Sequence, residues 1–226
     1  MPRPLRDQSG GLRHVTSRGN RRQAIFEDDG DRERFLRLLD RVRRVFDWRV
    51  FAWCLMTNHF HLVLGVPERT ISGGMQLLCG DYAQDFNWRH GFTGHLFQGR
   101  FHAEVIDDER QIFEAIRYVD LNPERAGIEP WRWSSYWAHV RVEAPRPFHD
   151  TAWVRRLGAS WSDAAVAYER FVDDARRGDV HTRHVRGLTP DVAALDTSAR
   201  VSRSRTCPGS DWLGLPQEEP PGAPRR

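Results

Sequence analysis

Apolar and polar positions along the chain follow two different periods. Leu12-Arg13-His14-Val15-Thr16-Ser17 is a short β-leaning segment that runs into the turn signal Arg18-Gly19-Asn20. From Asp31 to Phe46 the period becomes helical, with Phe35, Leu38, Leu39, Val42, Val45 and Phe46 on one stripe. Arg49 to Met56 and His59 to Val66 read as strands, and only Thr57-Asn58 separates them, the loop length of an antiparallel hairpin. Ser72 to about Asn87 reads as a helix, Gly91 to Gly99 as a loop, and Arg100 to Ile106 as a further strand. Asp107 or Asp108 then caps a helix running to about Leu121, with Asp108 and Gln111 spaced as a capping box and Pro123 and Gly127 marking its end. The order β-α-β-β-α-β-α predicts an α+β protein with an antiparallel sheet and helices on one face.

After Trp131-Arg132-Trp133-Ser134-Ser135-Tyr136 the composition changes, and Pro145 and Pro147 mark a boundary. Two short helical patterns follow, at Ala152–Leu157 and Ser162–Arg176, and beyond Gly187 the periodicity disappears. The last eleven residues, PQEEPPGAPRR, hold four prolines and are expected to be disordered. The reading is therefore a domain over residues 1–140, a small helical extension over 141–186 and a flexible tail over 187–226. The chain shows no internal repeat.

Composition narrows the class. Of 226 residues, 39% are apolar and 29% charged, and mean hydropathy is −0.65. No apolar run approaches the roughly 18–20 residues of a membrane span. The N-terminal Met1-Pro2-Arg3-Pro4-Leu5 lacks the apolar core of a secretory signal, and the three cysteines Cys54, Cys79 and Cys207 form no C-x-x-C pair. These features point to a soluble, cytoplasmic chain without a disulfide framework. All 34 basic residues are arginine, the net charge is +3, and thirteen arginines against eight acids fall in the first fifty residues. This balance permits a nucleic-acid partner without demanding one. Arg34, Arg37, Arg41 and Arg44 form a helical stripe that is either a solvated face or a contact to nucleic-acid backbone.

His59-Phe60-His61 is the sharpest chemical feature. Alternation in a strand puts both imidazoles on one face and Phe60 on the other, so the pair can chelate one metal ion or stand as surface histidines. Tyr118 and Asn122, four apart, share a helical face; one offers a hydroxyl and the other an amide oxygen suited to a hard cation. Their plain alternative is an ordinary helical tyrosine and a helix-ending asparagine before proline. Arg100 and the cluster Arg18, Arg21 and Arg22 are candidate phosphate contacts, with structural ion pairs as the alternative. His14 is either a sheet residue or a neighbour of the cleft, and Tyr82 is a second tyrosine that packing explains first. Trp131, Trp133 and Tyr136 either stack on unpaired bases or seal the domain edge. Together, two imidazoles and an amide oxygen holding Mg²⁺ or Mn²⁺ beside a phenol are the parts of a phosphoryl transfer. The tyrosine oxygen attacks phosphorus, and the covalent bond conserves the energy needed for rejoining.

The segments Arg18-Gly19-Asn20, Met56-Thr57-Asn58-His59-Phe60-His61-Leu62-Val63, Gly94-His95-Leu96-Phe97-Gln98-Gly99-Arg100-Phe101, Tyr118-Val119-Asp120-Leu121-Asn122-Pro123 and Trp133-Ser134-Ser135-Tyr136 occur in this order. Over residues 10–140 the chain resembles the REP-associated tyrosine transposases, relatives of the single-strand HUH transposases of insertion elements. The resemblance implies a ferredoxin-like sheet, similar to an RNA-recognition module, with the histidine pair on a central strand. It implies His59 and His61 as metal ligands, Asn122 as a third, amide-type ligand and Tyr118 as nucleophile. The implied activity is metal-dependent cleavage and rejoining of single-stranded hairpin or palindromic DNA through a 5′-phosphotyrosine, by a monomer or homodimer. Three rivals share these residues: a non-catalytic hairpin binder, a His-x-His hydrolase working through water, and a structural zinc module, which the lack of paired cysteines disfavours.

Overall fold

The computed structural model describes residues 9–128, 130–141 and 143–177. The expected tail, Cys207 and the end of the helical extension lie outside the described residues. Strand β1 (Gly11–Arg18) and a 3-10 turn (Asn20–Arg22) lead into helix α1 (Asp29–Phe46), the hairpin β2 (Arg49–Leu55) and β3 (His59–Val66), and helix α2 (Ile71–His90). Strand β4 (His102–Ile106), helix α3 (Glu109–Asp120) and the single turns α4 (Asn122–Arg125) and α5 (Tyr136–His139) follow. A second 3-10 turn (Val154–Leu157) precedes helix α6 (Trp161–Arg176). All pairings are antiparallel, in the order β2-β3-β1-β4, which is the ferredoxin-like arrangement of a β-α-β-β-α-β chain.

Local chemistry explains the element ends. The Asp28 carboxylate accepts the Asp31 N–H at the start of α1, and Asp108 accepts the Gln111 N–H at the start of α3. Asp47 closes α1 in the left-handed region at φ 55°. Strand β4 begins at His102 and not Arg100. Pro123 does not end the helical path, because as an early residue of the next turn its missing N–H has no helical partner to lose.

The expected arrangement with helices on one face holds for α1 and α2 only. Phe35, Leu39, Leu78 and Tyr82 pack on Val15, Phe60, Leu62 and Leu64 on one side of the sheet. Ile112, Ile116 and Val119 of α3, with Trp153 and Tyr168, cover Ala52, Cys54 and Val63 on the other. The reason is legible in β2 and β3, which are buried at nearly every position and so require cover on both faces. The described part of the helical extension therefore shares a core with α3. On the outer side of α1, Arg34, Arg41 and Arg44 pair with Asp85, Asp81 and Asp40 at 3.5, 3.9 and 2.7 Å, a solvated ion-paired face. No helix among the described residues is long and apolar enough to cross a membrane.

Two predictions follow from this packing. A Cβ at Gly74 of α2 would lie 2.2 Å from the Trp48 ring, whose indole N–H is tied to Thr70 Oγ1 at 3.0 Å. Gly74→Ala should therefore cost about 1–3 kcal/mol in urea denaturation, by overpacking. His149 is held neutral, its pKa pushed well below 6.5 by burial and then by neighbouring His139. The unfolded chain takes up this proton and the folded chain does not, so stability is full above pH 6.5 and falls as the solution is acidified. His149→Gln should flatten the loss between pH 7 and pH 5, read from urea midpoints.

Candidate active site

The register of three strands builds one polar row on the α3 side of the sheet. Arg18 lies opposite His59, Thr16 opposite both His61 and His102, and His14 opposite both Val63 and Glu104. Side chains alternate along each strand, so these residues share one face. Tyr118 and Asn122 descend on it from α3 and α4.

The contacts are specific. Asn58 Oδ1 is 2.7 Å from His59 Nδ1, while the Asn58 amide donates to Arg22 O at 3.1 Å. That second bond makes Asn58 Oδ1 the acceptor, so His59 carries its proton on Nδ1 and presents a bare Nε2. The Asn122 amide bridges the pair, with Oδ1 3.2 Å from His59 Nε2 and Nδ2 3.2 Å from His61 Nε2. His61 Nδ1 lies 3.0 Å from His14 Nε2, and His14 Nδ1 lies 3.7 Å from Glu104. A carboxylate and an imidazole thus stand behind His61 and fix its ring, as supporting groups do around metal-binding histidines.

Electrostatics keep the imidazoles neutral. Burial first, and then His14, His59 and Arg18, push the His61 pKa down to about 3. Burial also lowers His59, although Asn122 Oδ1 could accept from its protonated ring, and lowers His14, against Glu104. Neutral imidazole is the form that ligates a metal ion. On the proton assignment above, the His59 Nε2 and Asn122 Oδ1 lone pairs face each other, a mismatch that a cation between them removes. The donor set therefore fits a divalent ion with two nitrogens and one oxygen. Among the described residues no group of three or more His, Cys, Asp or Glu is placed to hold a metal, so an ion held by this pair of histidines would take the amide as its third donor.

Tyr118 is 41% exposed. Its ring stands edge-on to His14 and His61, at centroid distances of 5.7 and 5.6 Å. The Arg125 guanidinium lies 4.8 Å from the ring centroid.

Residues 9–122 match the family of IS200-like transposases. The chain belongs to that family. Among solved structures, it is similar to a REP-associated tyrosine transposase bound to a REP hairpin, at 19% identity and a TM-score of 0.52, covering 67% of this chain and 90% of that one. A transposase structure from Deinococcus radiodurans R1 matches at 15% identity and a TM-score of 0.37, covering 50% of this chain and 91% of that one. No curated protein matches the chain. At these identities the first likeness is one of fold.

For this IS200-like transposase, the structure brings together His59, His61, Tyr118, Asn122 and Arg18. Arg21 and Arg22 stand in the turn after β1, both with positive φ, and Asn20 N and Gln98 N bond Leu96 O and Arg18 O, so the loop leading to Arg100 meets the same end of the sheet. Tyr82 is different: it is fully buried, its hydroxyl donates to Ile25 O at 2.5 Å, and burial raises its pKa. Trp131 and Trp133 commit their indole N–H groups to Leu55 O and Asp29, sealing the domain edge. Sequence reasoning missed Asn58, Glu104 and Arg125. Strand alternation from His102 reaches Glu104, and an (i, i+7) spacing from Tyr118 reaches Arg125, but neither spacing alone points to a site.

Arg18, Arg21, Arg22 and Arg100 are exposed and form no ion pair among the described residues. Arg89 instead grips Asp28 and the buried Asp31. Each of the four single Arg→Gln variants should change stability by less than about 0.5 kcal/mol, whereas Arg89→Gln should cost about 3 kcal/mol, both read by urea titration.

Proposed function

We propose that this IS200-like transposase is a Mg²⁺- or Mn²⁺-dependent endonuclease and strand transferase for single-stranded hairpin or palindromic DNA, working in the cytoplasm. The observation that carries the reading is the placement of the Tyr118 ring against His14 and His61, with Asn122 bridging His59 and His61. The hairpin bound to the solved relative supports the substrate class. Residues 1–140 form the catalytic unit in this proposal, followed by the helical extension over 141–186.

In the reaction, the Tyr118 oxygen attacks a backbone phosphorus and gives up its proton. The bond from phosphorus to the 3′-oxygen breaks, that oxygen takes a proton, and the 5′-phosphate stays joined to Tyr118. A second 3′-hydroxyl attacks the phosphotyrosine, restores the phenol and reseals the strand, with no external energy source. His59, His61 and Asn122 would hold a divalent cation, which supplies positive charge for the phosphate and the departing oxygen when bound. Arg125 packs on the Tyr118 ring, and Arg18, Arg21, Arg22 and Arg100 take the DNA backbone.

The test incubates the full chain with a labelled single-stranded hairpin from beside its own gene, with Mn²⁺ or with EDTA. A protein–DNA adduct is expected with Mn²⁺, lost in EDTA and reduced at least about 10³-fold in Tyr118→Phe, on the scale of removing an essential group. Cleavage without an adduct would establish a water-using hydrolase instead. Tight binding without cleavage would establish a non-catalytic hairpin binder.

A further inference from the structure

Asp120 lies two residues after Tyr118 and two before Asn122, and its side chain is fully buried. A helix turns about 100° per residue, so a residue two away points to the opposite side. Tyr118 and Asn122 therefore face the histidines while Asp120 faces backwards, into the core shared with the C-terminal segments. There its carboxylate accepts three hydrogen bonds from two elements, α5 with its N-cap and α6. Ser135 Oγ donates to Oδ1 at 2.7 Å, and His139 Nδ1 and Tyr168 Oη donate to Oδ2 at 2.6 and 2.7 Å.

Each donor is itself tied down. Ser135 Oγ accepts the Trp53 N–H at 3.0 Å, which joins the cluster to β2. His139 Nε2 and His149 Nε2 lie 3.0 Å apart and each is 3.1 Å from Phe51 O, so this pair of rings is tied to a β2 carbonyl. The flanking residues repeat the attachment: Arg117 donates to Phe171 O at 3.2 Å, and Arg176 donates to Glu124 at 2.6 Å.

We propose that Asp120, held by Ser135, His139 and Tyr168, is a positioning residue that sets the rotation of the helical segment carrying Tyr118 and Asn122 over the histidine pair. This rests on the catalytic reading of Tyr118 and Asn122 above. An apolar residue at 120 would fill the same core at no greater cost, since buried ionic groups seldom add net stability. What the carboxylate adds is direction, because its three donors fix the helix about its own axis and apolar contacts do not. The C-terminal segment is then a brace for the active site. Its signal in the sequence is an aspartate on the apolar side of a helix otherwise lined by Ile112, Ile116 and Val119.

The test uses the full chain carrying Tyr168→Phe and Ser135→Ala together, changes that remove two donors and leave the packing shapes nearly intact. Gly74→Ala, on the opposite face of the sheet, is the control for stability loss alone. Well below the melting temperature, the double variant should form the DNA adduct at least about 10-fold more slowly with its hairpin Kd within twofold. Amide exchange over residues 117–126 should accelerate at least about 10-fold, while Gly74→Ala changes neither. Unchanged exchange over residues 117–126 overturns the proposal, whatever the rate, and so does a wild-type adduct rate. If the wild-type chain forms no adduct, the nuclease reading fails, and exchange over this segment alone then decides for or against the brace.

Discussion

Every functional distance in this molecule hangs on the pairing of β1 with β3. Phe60, Leu62 and Leu64 must enter the core beneath α1 and α2, and period-2 alternation then turns His59 and His61 to the opposite face. A slip of one residue would drive the histidines into the apolar core beneath α1 and α2 and turn three large apolar side chains onto the polar row, so hydrophobic burial enforces the register. The same register sets Thr16 beside His61 and Arg18 beside His59. The polar row is thus a by-product of the most strongly constrained packing in the fold.

That row is unusual in lying beneath a second layer. A sheet with only α1 and α2 would leave the histidine face open to water, where imidazoles titrate near their ordinary values. Helix α3 and the C-terminal segments cover part of it, and the resulting burial holds His61 neutral. The cover stops short of Tyr118, which keeps its ring partly in solvent beside Arg125 and the two imidazoles. One helix edge thus supplies both buried imidazole nitrogens and an exposed phenol, the combination on which the proposed phosphoryl transfer rests.

Positive charge is divided in the same economical way. Arginines with carboxylate neighbours, such as Arg34, Arg41 and Arg89, hold α1 to α2 or brace the start of α1. Those around the end of β1 have no such neighbours among the described residues and surround the open side of the site. The difference comes from the positions of Asp28, Asp31, Asp81 and Asp85, and not from any property of the arginines themselves.

The amino-acid sequence by itself determined the strands, the main helices, the α+β class and the shared face of His59 and His61, because these depend on periods of two and 3.6 residues that local order expresses directly. The span of the hairpin and the Asp108 cap were legible for the same reason. Only the tertiary structure decided that α3 lies across the sheet from α1 and α2, although two nearly continuous apolar strands carried the hint. It also decided that Asn58, His14, Glu104 and Arg125 surround the predicted residues, and that Asp120 meets Ser135, His139 and Tyr168. Several of those meetings join residues far apart in the chain, as His14 with His61 and Asp120 with Tyr168 do. Hydrogen-bond direction and cross-strand register decide them, and neither leaves a periodic mark along the sequence.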